Sequence, residues 1–359
     1  MGKPLGVGIV GVGNISSQYL SNIPHLPNLE LIGVTDLNSE RAQRVAIENG
    51  VRAFGTDEIF DDSEVDVILN LTLPQSHAEI NRKALTHGKH VYLEKPFALS
   101  VSEGTPILDL ATEKGLRIGC APDTFLGTGI QSSKYLIETG AIGTPIAASA
   151  SWSAPGHELW HPSPQFYYQE GAGPLFDMGP YYLTALVFLL GPIEKVIGNS
   201  THSNRNRKIH TGDLADTQLS VEVETHISAL LTHKSGAQST IMVSFEIWGS
   251  KLPTIEVYGT SGTINVPDPN KFNDIPEIFT QENREWRAVE ESAGFRNSGR
   301  GFGLSEMAAA IAENRPHCAS GELGFHVLEV MEAILKSSTS ECRTTIQSTV
   351  KDIPILTLT

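Results

Sequence analysis

The 359-residue chain carries 26 Lys and Arg against 41 Asp and Glu, a formal charge of −15, with 40% of its residues hydrophobic. That acidity argues against nucleic acid or an anionic membrane as a general partner, because phosphate contacts need clustered Lys and Arg. No apolar stretch reaches the ~18 residues of a membrane span. The cysteines Cys120, Cys318 and Cys342 form neither a metal spacing nor an even disulfide set, and with the N-terminus running directly into a strand a secretory leader is not expected. A cytoplasmic setting is therefore expected.

In chain order, Val7 to Val10 is a short apolar run that leads into Gly11-Val12-Gly13. A helical pattern follows, with Ile15, Tyr19 and Ile23 on one face. A second apolar run, Leu29 to Val34, ends at Asp36. Strand, glycine turn, helix, strand and terminal acid are the layout of a dinucleotide-binding βαβ unit. Glycine lets the backbone approach a pyrophosphate, and the helix N-terminus offers unpaired N–H groups. Ser16 stands where the third glycine of the motif is expected. Asp36 accepts ribose hydroxyls and repels a 2′-phosphate, which selects NAD over NADP. Arg41, one turn into the next helix, is in reach of the adenine or a phosphate.

Ser39 is read as the N-cap of that next helix and Gly50 as its stop. Val65 to Leu71 reads as a strand buried on both faces. Ser76-x-x-Glu79 reads as a capping box that opens a helix ending near Gly88. His90 to Leu93 is another strand, followed by Glu94-Lys95-Pro96. The next helix has no clear start, because Pro106 interrupts the pattern after Ser100-x-x-Glu103. Leu116 to Cys120 is a further strand. Strands alternating with helices predict a doubly wound parallel sheet over residues 1–124.

After Asp123 the pattern changes. Gly129 to Thr139 reads as a helix, and Thr144 to Ser153 alternates. Residues 156–173 are aromatic and Pro-rich without a period, and Pro180 to Leu190 is an apolar helix. Runs with strand character follow at 194–199, 218–225, 227–233, 239–247, 254–257 and 262–266. Helices near Phe302 to Asn314 and Glu322 to Lys336 are expected to close this part. Residues 125–359 thus predict an α/β domain with a large open, mostly antiparallel sheet.

Gly11-Val12-Gly13-Asn14-Ile15, then Glu94-Lys95-Pro96, then Gly171-Ala172-Gly173-Pro174-Leu175-Phe176-Asp177-Met178-Gly179 occur in this order. In these residues the chain resembles the glucose–fructose oxidoreductase / inositol dehydrogenase / rhizopine-catabolism (Gfo/Idh/MocA) family. The resemblance covers essentially the whole chain. It implies an NAD-binding Rossmann domain (1–124) and a substrate-binding and oligomerisation domain (125–359). It implies that Lys95 sits near the nicotinamide and the reacting hydroxyl, with Glu94 and Pro96 shaping that loop. Thr72, Leu73, Pro74 and His77 correspond to the loop over the nicotinamide ribose. Asp177 corresponds to the substrate-binding or proton-relay aspartate.

Four residues beyond that aspartate many relatives carry a histidine as acid/base. This chain has Tyr181 there, with Tyr182 beside it. Lowering a tyrosine hydroxyl from about 10 to about 7 needs roughly 4 kcal/mol. A neighbouring ammonium and an oxidised nicotinamide ring both favour the phenolate. Tyr181 is therefore expected to transfer the proton, with Lys95 orienting the substrate. His157, Trp160, His161, Tyr167 and Tyr168 are expected to form a substrate-pocket loop. Trp160 and His161 there are expected to bind the substrate together with Lys95, Asp177 and Tyr181. A metal reading of His157 and His161 is rejected, because the flanking prolines forbid the helix spacing that zinc needs.

The expected activity is NAD-dependent hydride transfer at a secondary alcohol or ketone of a sugar, polyol or related cyclic compound. Three alternatives use the same fold: an NAD-recycling glycosidase, a reductase of trans-dihydrodiols or dicarbonyls, and a catalytically dead NAD sensor. The open sheet is expected to pair copies into a homodimer or homotetramer.

Overall fold

The computed structural model describes residues 3–202 and 206–359. Two compact units divide it: Met1–Leu126 with Asn297–Phe325, and Gly127–Arg296 with His326–Thr359.

In the first unit, β1 (Leu5–Val10), α1 (Ser16–Asn22), β2 (Leu29–Thr35), α2 (Ser39–Asn49) and β3 (Arg52–Ala53) are followed by α3 (Glu58–Asp61) and β4 (Val67–Asn70). Then come α4 (Pro74–Thr86), β5 (His90–Leu93), α5 (Val101–Lys114) and β6 (Ile118–Cys120). The six strands form one parallel sheet in the order β3-β2-β1-β4-β5-β6. Val7, Ile9, Val67, Ile68, Leu69, Val91 and Leu93 are fully buried, as strands covered on both faces must be. In such a sheet ligands bind at the carboxyl ends of the strands, where the order reverses between β1 and β4.

Local chemistry sets the helix starts. Asn38, not Ser39, caps α2, its side chain accepting from Arg41 N at 2.9 Å, and Gly50 closes the helix at φ 65°. Ser76-x-x-Glu79 does not open α4. Pro74 does, because it lacks the N–H that would go unpaired there and it drives Leu73 into extended backbone. Ser100 caps α5, accepting from Glu103 N at 3.3 Å, and Pro106 lies inside that helix without ending it.

The helix Phe302–Ala312 belongs to this first unit, contrary to its expected place in the second. Asp123, fully buried just after β6, accepts from Gly301 N at 3.0 Å and Gly303 N at 3.1 Å. It also pairs with Arg300 Nη1 at 3.2 Å. Burial raises the Asp123 carboxyl above its ordinary range against the pull of Arg300. One carboxylate thus pins a segment some 180 residues away, and no local pattern announces it.

The second unit begins with α6 (Thr128–Glu138), β7 (Pro145–Ser153), α7 (Gly173–Asp177) and α8 (Gly179–Leu190). There follow β8 (Ile193–Thr201), β9 (Asn206–Lys208), β10 (Gln218–Ser220), β11 (His226–His233) and β12 (Gln238–Ser244). The remaining strands are β13 (Ile255–Gly259), β14 (Gly262–Val266), β15 (Glu277–Thr280), β16 (Arg287–Ala288) and β17 (Thr344–Thr345). Nine of them form one sheet, β16-β15-β14-β13-β7-β12-β11-β8-β17, antiparallel except where β12 runs parallel to β7. β9 and β10 form a separate ribbon, so only Gln218–Ser220 of the expected run 218–225 is strand.

Ala148, Ala150, Ile227, Ala229, Leu231, Ile241 and Val243 line the buried face of the nine-stranded sheet. α7 and α8 pack on this sheet. All twelve residues of α8 are buried, which is why its apolar residues surround the helix and show no stripe. No helix among the described residues is long and apolar enough to cross a membrane.

Candidate active site

The glycine turn after β1 has the geometry a dinucleotide needs. Gly11 adopts φ +92°, and a Cβ on it would lie 2.9 Å from the Leu71 carbonyl, so only glycine fits. A Cβ on Gly13 would meet nothing within 4 Å. That open side lies next to exposed Asn14 and to Ile15, the residue preceding α1, and leaves room for a close backbone approach of the kind a pyrophosphate needs. Ser16 replaces the third glycine without loss of order: its hydroxyl donates to Gly13 O at 2.7 Å and folds the turn onto itself.

Asp36 ends β2 as expected. Its Oδ2 accepts from Val12 N at 2.9 Å, and its Oδ1 accepts from Asn38 N at 2.8 Å and Arg41 Nη2 at 2.7 Å. Burial pushes this carboxyl up, but the Arg41 guanidinium and the two amides hold it below its ordinary value. Asp36 is therefore ionised at neutral pH and stands against a 2′-phosphate. Arg41 is bonded to Asp36, its Nη2 2.7 Å from Oδ1.

Two loops at the carboxyl ends of β4 and β5 are tied together by His77. This ring is buried, with Nδ1 2.7 Å from Pro96 O and Nε2 3.1 Å from Thr72 O. Burial pushes its pKa down, although both carbonyls favour the cation. Both nitrogens face protein carbonyls, so His77 acts as a strut within the loop. Asn70, which the sequence reading passed over, is the second strut: its Oδ1 accepts from Thr72 Oγ1 at 2.7 Å, and its amide donates to Asn81. A buried Asn ending an apolar strand is the signal that could have revealed it. Leu73 is 62% exposed beside buried Thr72 partners, and Pro74 opens α4.

Glu94 is buried. Its Oε1 accepts from the Tyr19 hydroxyl of α1 at 2.8 Å, and its Oε2 from Lys95 N at 3.2 Å. The carboxylate thereby joins the end of β5 to the helix of the glycine turn. Lys95 follows, partly buried, and the Lys95–Pro96 peptide is cis.

In the second unit Asp177 is the last residue of α7, and Tyr181, 7% exposed, lies in the first turn of α8. Asp177 Oδ2 is 2.9 Å from His157 Nε2. His157 belongs to a one-turn 3-10 segment, His157–Leu159, held by buried charges. Arg207 bonds Glu158 Oε1 at 2.7 Å and Glu246 Oε1 at 2.7 Å, and also donates to the Pro155 and Phe245 carbonyls. The Tyr168 hydroxyl donates to Glu158. The expected aromatic loop therefore exists, and a three-charge clamp that the sequence did not betray supports it. Trp160 is 58% exposed, 5.2 Å from the His157 ring and 5.3 Å from His161. His161 Nδ1 accepts from Ser163 N at 3.0 Å, which leaves the proton on Nε2. Tyr182 points its hydroxyl at Asp268, 3.4 Å away, and burial together with that carboxylate pushes its pKa up. Among the described residues no group of three or more His, Cys, Asp or Glu could hold a metal ion.

A family model described as an oxidoreductase family with an NAD-binding Rossmann fold matches residues 5–121, and the Gfo/Idh/MocA C-terminal domain matches residues 130–265. The chain belongs to the Gfo/Idh/MocA oxidoreductase family. Among its relatives, inositol 2-dehydrogenase 3 of Saccharopolyspora erythraea is 26% identical over 268 residues, covering 73% of each chain. D-apiose dehydrogenase of Rhizobium rhizogenes is 24% identical over 305 residues, 79% of this chain and 83% of that one. A levoglucosan dehydrogenase solved with NADH has the same fold, with a TM-score of 0.83 at 21% identity over 96% of this chain and all of that one. As a family member the protein is an oxidoreductase with an NAD-binding Rossmann domain. The turn at Gly11 and Gly13 and the carboxylate of Asp36 fit that cofactor.

Proposed function

We propose that the protein is an NAD-dependent dehydrogenase or reductase that moves a hydride between the nicotinamide and a secondary alcohol or ketone of a sugar or polyol. In this reading the Rossmann unit serves the dinucleotide, the second unit serves the substrate, and Lys95, Asp177 and Tyr181 are the residues that carry turnover. The observation that carries it is the position of Lys95, directly beyond β5 on the carboxyl edge of a six-stranded parallel sheet whose order reverses at β1 and β4. Bound NAD supplies the hydride acceptor. The Lys95 ammonium orients the substrate oxygen and stabilises negative charge on it. Tyr181 takes the hydroxyl proton. It is preferred to Tyr182, whose hydroxyl is turned to a carboxylate that opposes ionisation. Asp177, already ordered by a histidine, accepts a substrate hydroxyl. The sugar and polyol activities in the names of inositol 2-dehydrogenase 3 and D-apiose dehydrogenase support the substrate class.

Incubation with oxidised NAD and a panel of sugars and inositols at alkaline pH is expected to produce the near-ultraviolet absorbance of reduced nicotinamide with at least one compound. Absence of turnover across the panel, with reduced NAD and the matching ketones equally inert, would sink this reading.

The second unit also offers a self-association surface. Ile197 and Leu230, paired across β8 and β11, are 42% and 39% exposed. A homodimer or homotetramer through this sheet is part of the proposal. Leu230→Lys is expected to lower the mass measured by light scattering; an unchanged oligomer would remove this face from consideration.

A further inference from the structure

We propose that His157 is a positioning residue for Asp177, holding its carboxylate ionised and fixed for a substrate hydroxyl. The inference rests on the functional reading above.

Nothing local brings these two residues together; they are twenty apart, in a 3-10 turn and at the end of α7. The His157 Nε2 lies 2.9 Å from Asp177 Oδ2, so an ionised aspartate fixes the proton on Nε2. The other ring nitrogen, Nδ1, is buried without a hydrogen-bond partner in a side chain that is 8% exposed. A buried polar atom without a partner is costly. The fold keeps it, and adds further costs to hold the ring still. The rings of Tyr167, Phe245 and Trp160 lie 4.3, 4.6 and 5.2 Å away. The His157 N–H donates to the Tyr168 hydroxyl at 3.0 Å. The next residue, Glu158, is locked by buried Arg207. Desolvating one guanidinium and two carboxylates contributes little net stability, so the clamp is better understood as fixing a position. What it fixes is the turn that delivers one N–H to one carboxylate. Such outer partners set the ionisation and orientation of the groups that touch a ligand.

The titratable and charged groups around His157 are Asp177, His161, Tyr167, Tyr168, Glu158 and Arg207. Only Asp177 receives a bond from the ring. With NAD bound, the oxidised nicotinamide would accept the hydride from the substrate carbon, and Tyr181 the hydroxyl proton. His157 gains and loses nothing in that balance; it acts through Asp177.

The test compares pH profiles of kcat/KM for the wild type, His157→Phe and His157→Gln, each with and without Asp177→Asn. Phe fills the aromatic surroundings, removes the unpartnered Nδ1 and deletes the donor. Gln keeps a donor near the position of Nε2 and packs less well. A merely structural histidine predicts that Phe outperforms Gln. The positioning role predicts the reverse. His157→Phe is expected to lose on the order of tenfold in kcat/KM, with the acid limb moved up by about one pH unit. His157→Gln is expected to restore most of both. In the Asp177→Asn background, His157→Phe should change kcat/KM by less than about twofold. An acid limb in His157→Phe that coincides with the wild type, or losses that multiply in the double variant, overturns the proposal while leaving the activity in place. A wild type inert on every sugar and polyol takes down the functional reading and this proposal with it.

Discussion

Replacing Lys95 with methionine is expected to lower kcat on the best sugar or polyol substrate by about 10²–10⁴-fold. Binding of reduced NAD, followed by its fluorescence, should stay within about twofold of the wild type. The methionine keeps the length and the apolar stem of the lysine, so the loop after β5 loses a charge and little packing. That loop has anchors besides the lysine. Glu94 is anchored to Tyr19 and Pro96 O to His77, and both anchors survive the change. The cofactor turn at Gly11 and Gly13 is separate again. A fall in kcat with intact nucleotide binding therefore isolates the ammonium's work on the developing alkoxide. Arginine is expected to be nearly as poor as methionine, because its planar fork cannot place a point charge where the lysine does. A methionine variant with wild-type kcat would show that another group carries that charge.

The first unit was legible in the sequence because its signals are local. Val7 to Val10, Leu29 to Val34 and Val65 to Leu71 read as strands since a sheet covered on both faces leaves continuous apolar runs. Gly11 and Asp36 stood out because a close approach and a strand-end acid each demand one residue type. The errors there were also local in origin. Ser76-x-x-Glu79 imitates a capping box, but Pro74 two residues earlier starts the helix with stronger backbone constraints. The pairing partners of Asp36, Glu94 and His77 were out of reach. The bonds of Asp36 to Val12, Glu94 to Tyr19 and His77 to Pro96 join stretches the sequence keeps apart, and a carboxylate offered to a ribose looks the same on paper as one bonded to Arg41.

The second unit was legible only in outline. Its large sheet followed from alternating runs, but the short edge strands Glu277–Thr280, Arg287–Ala288 and Thr344–Thr345 carry too few residues for a period to show. Residues 156–173 looked like an irregular aromatic loop. The structure gives that loop a cause, since Glu158 and Tyr168 turn inward to meet Arg207, which lies some forty residues later in a polar stretch with no periodicity. Of the two histidines in that loop, His157 is bonded to Asp177, while Trp160 remains at the surface.

Arg207→Met is expected to destabilise the second unit by about 3–5 kcal/mol. The side chain is 6% exposed and holds Glu158 and Glu246, whose side chains are 7% and 19% exposed. Removing the cation leaves two carboxylates desolvated beside one another, and that penalty exceeds any packing change from a methionine of similar reach. Urea unfolding followed by tryptophan fluorescence reads this directly, because Trp152, Trp160, Trp248 and Trp286 are all the tryptophans of the chain and all lie in the second unit. Two mechanisms give different results when the carboxylates are also neutralised. If the loss comes from uncompensated charge, adding Glu158→Gln and Glu246→Gln to Arg207→Met should recover more than half of it, since neutral amides cost far less to bury than ions. If it comes from packing, the triple variant should be no more stable than the single one. Recovery of stability should not restore turnover in full, because the Gln side chains no longer hold the 3-10 turn in one place. The clamp would then be shown to act on the placement of His157, with its electrostatic cost to folding separately measured.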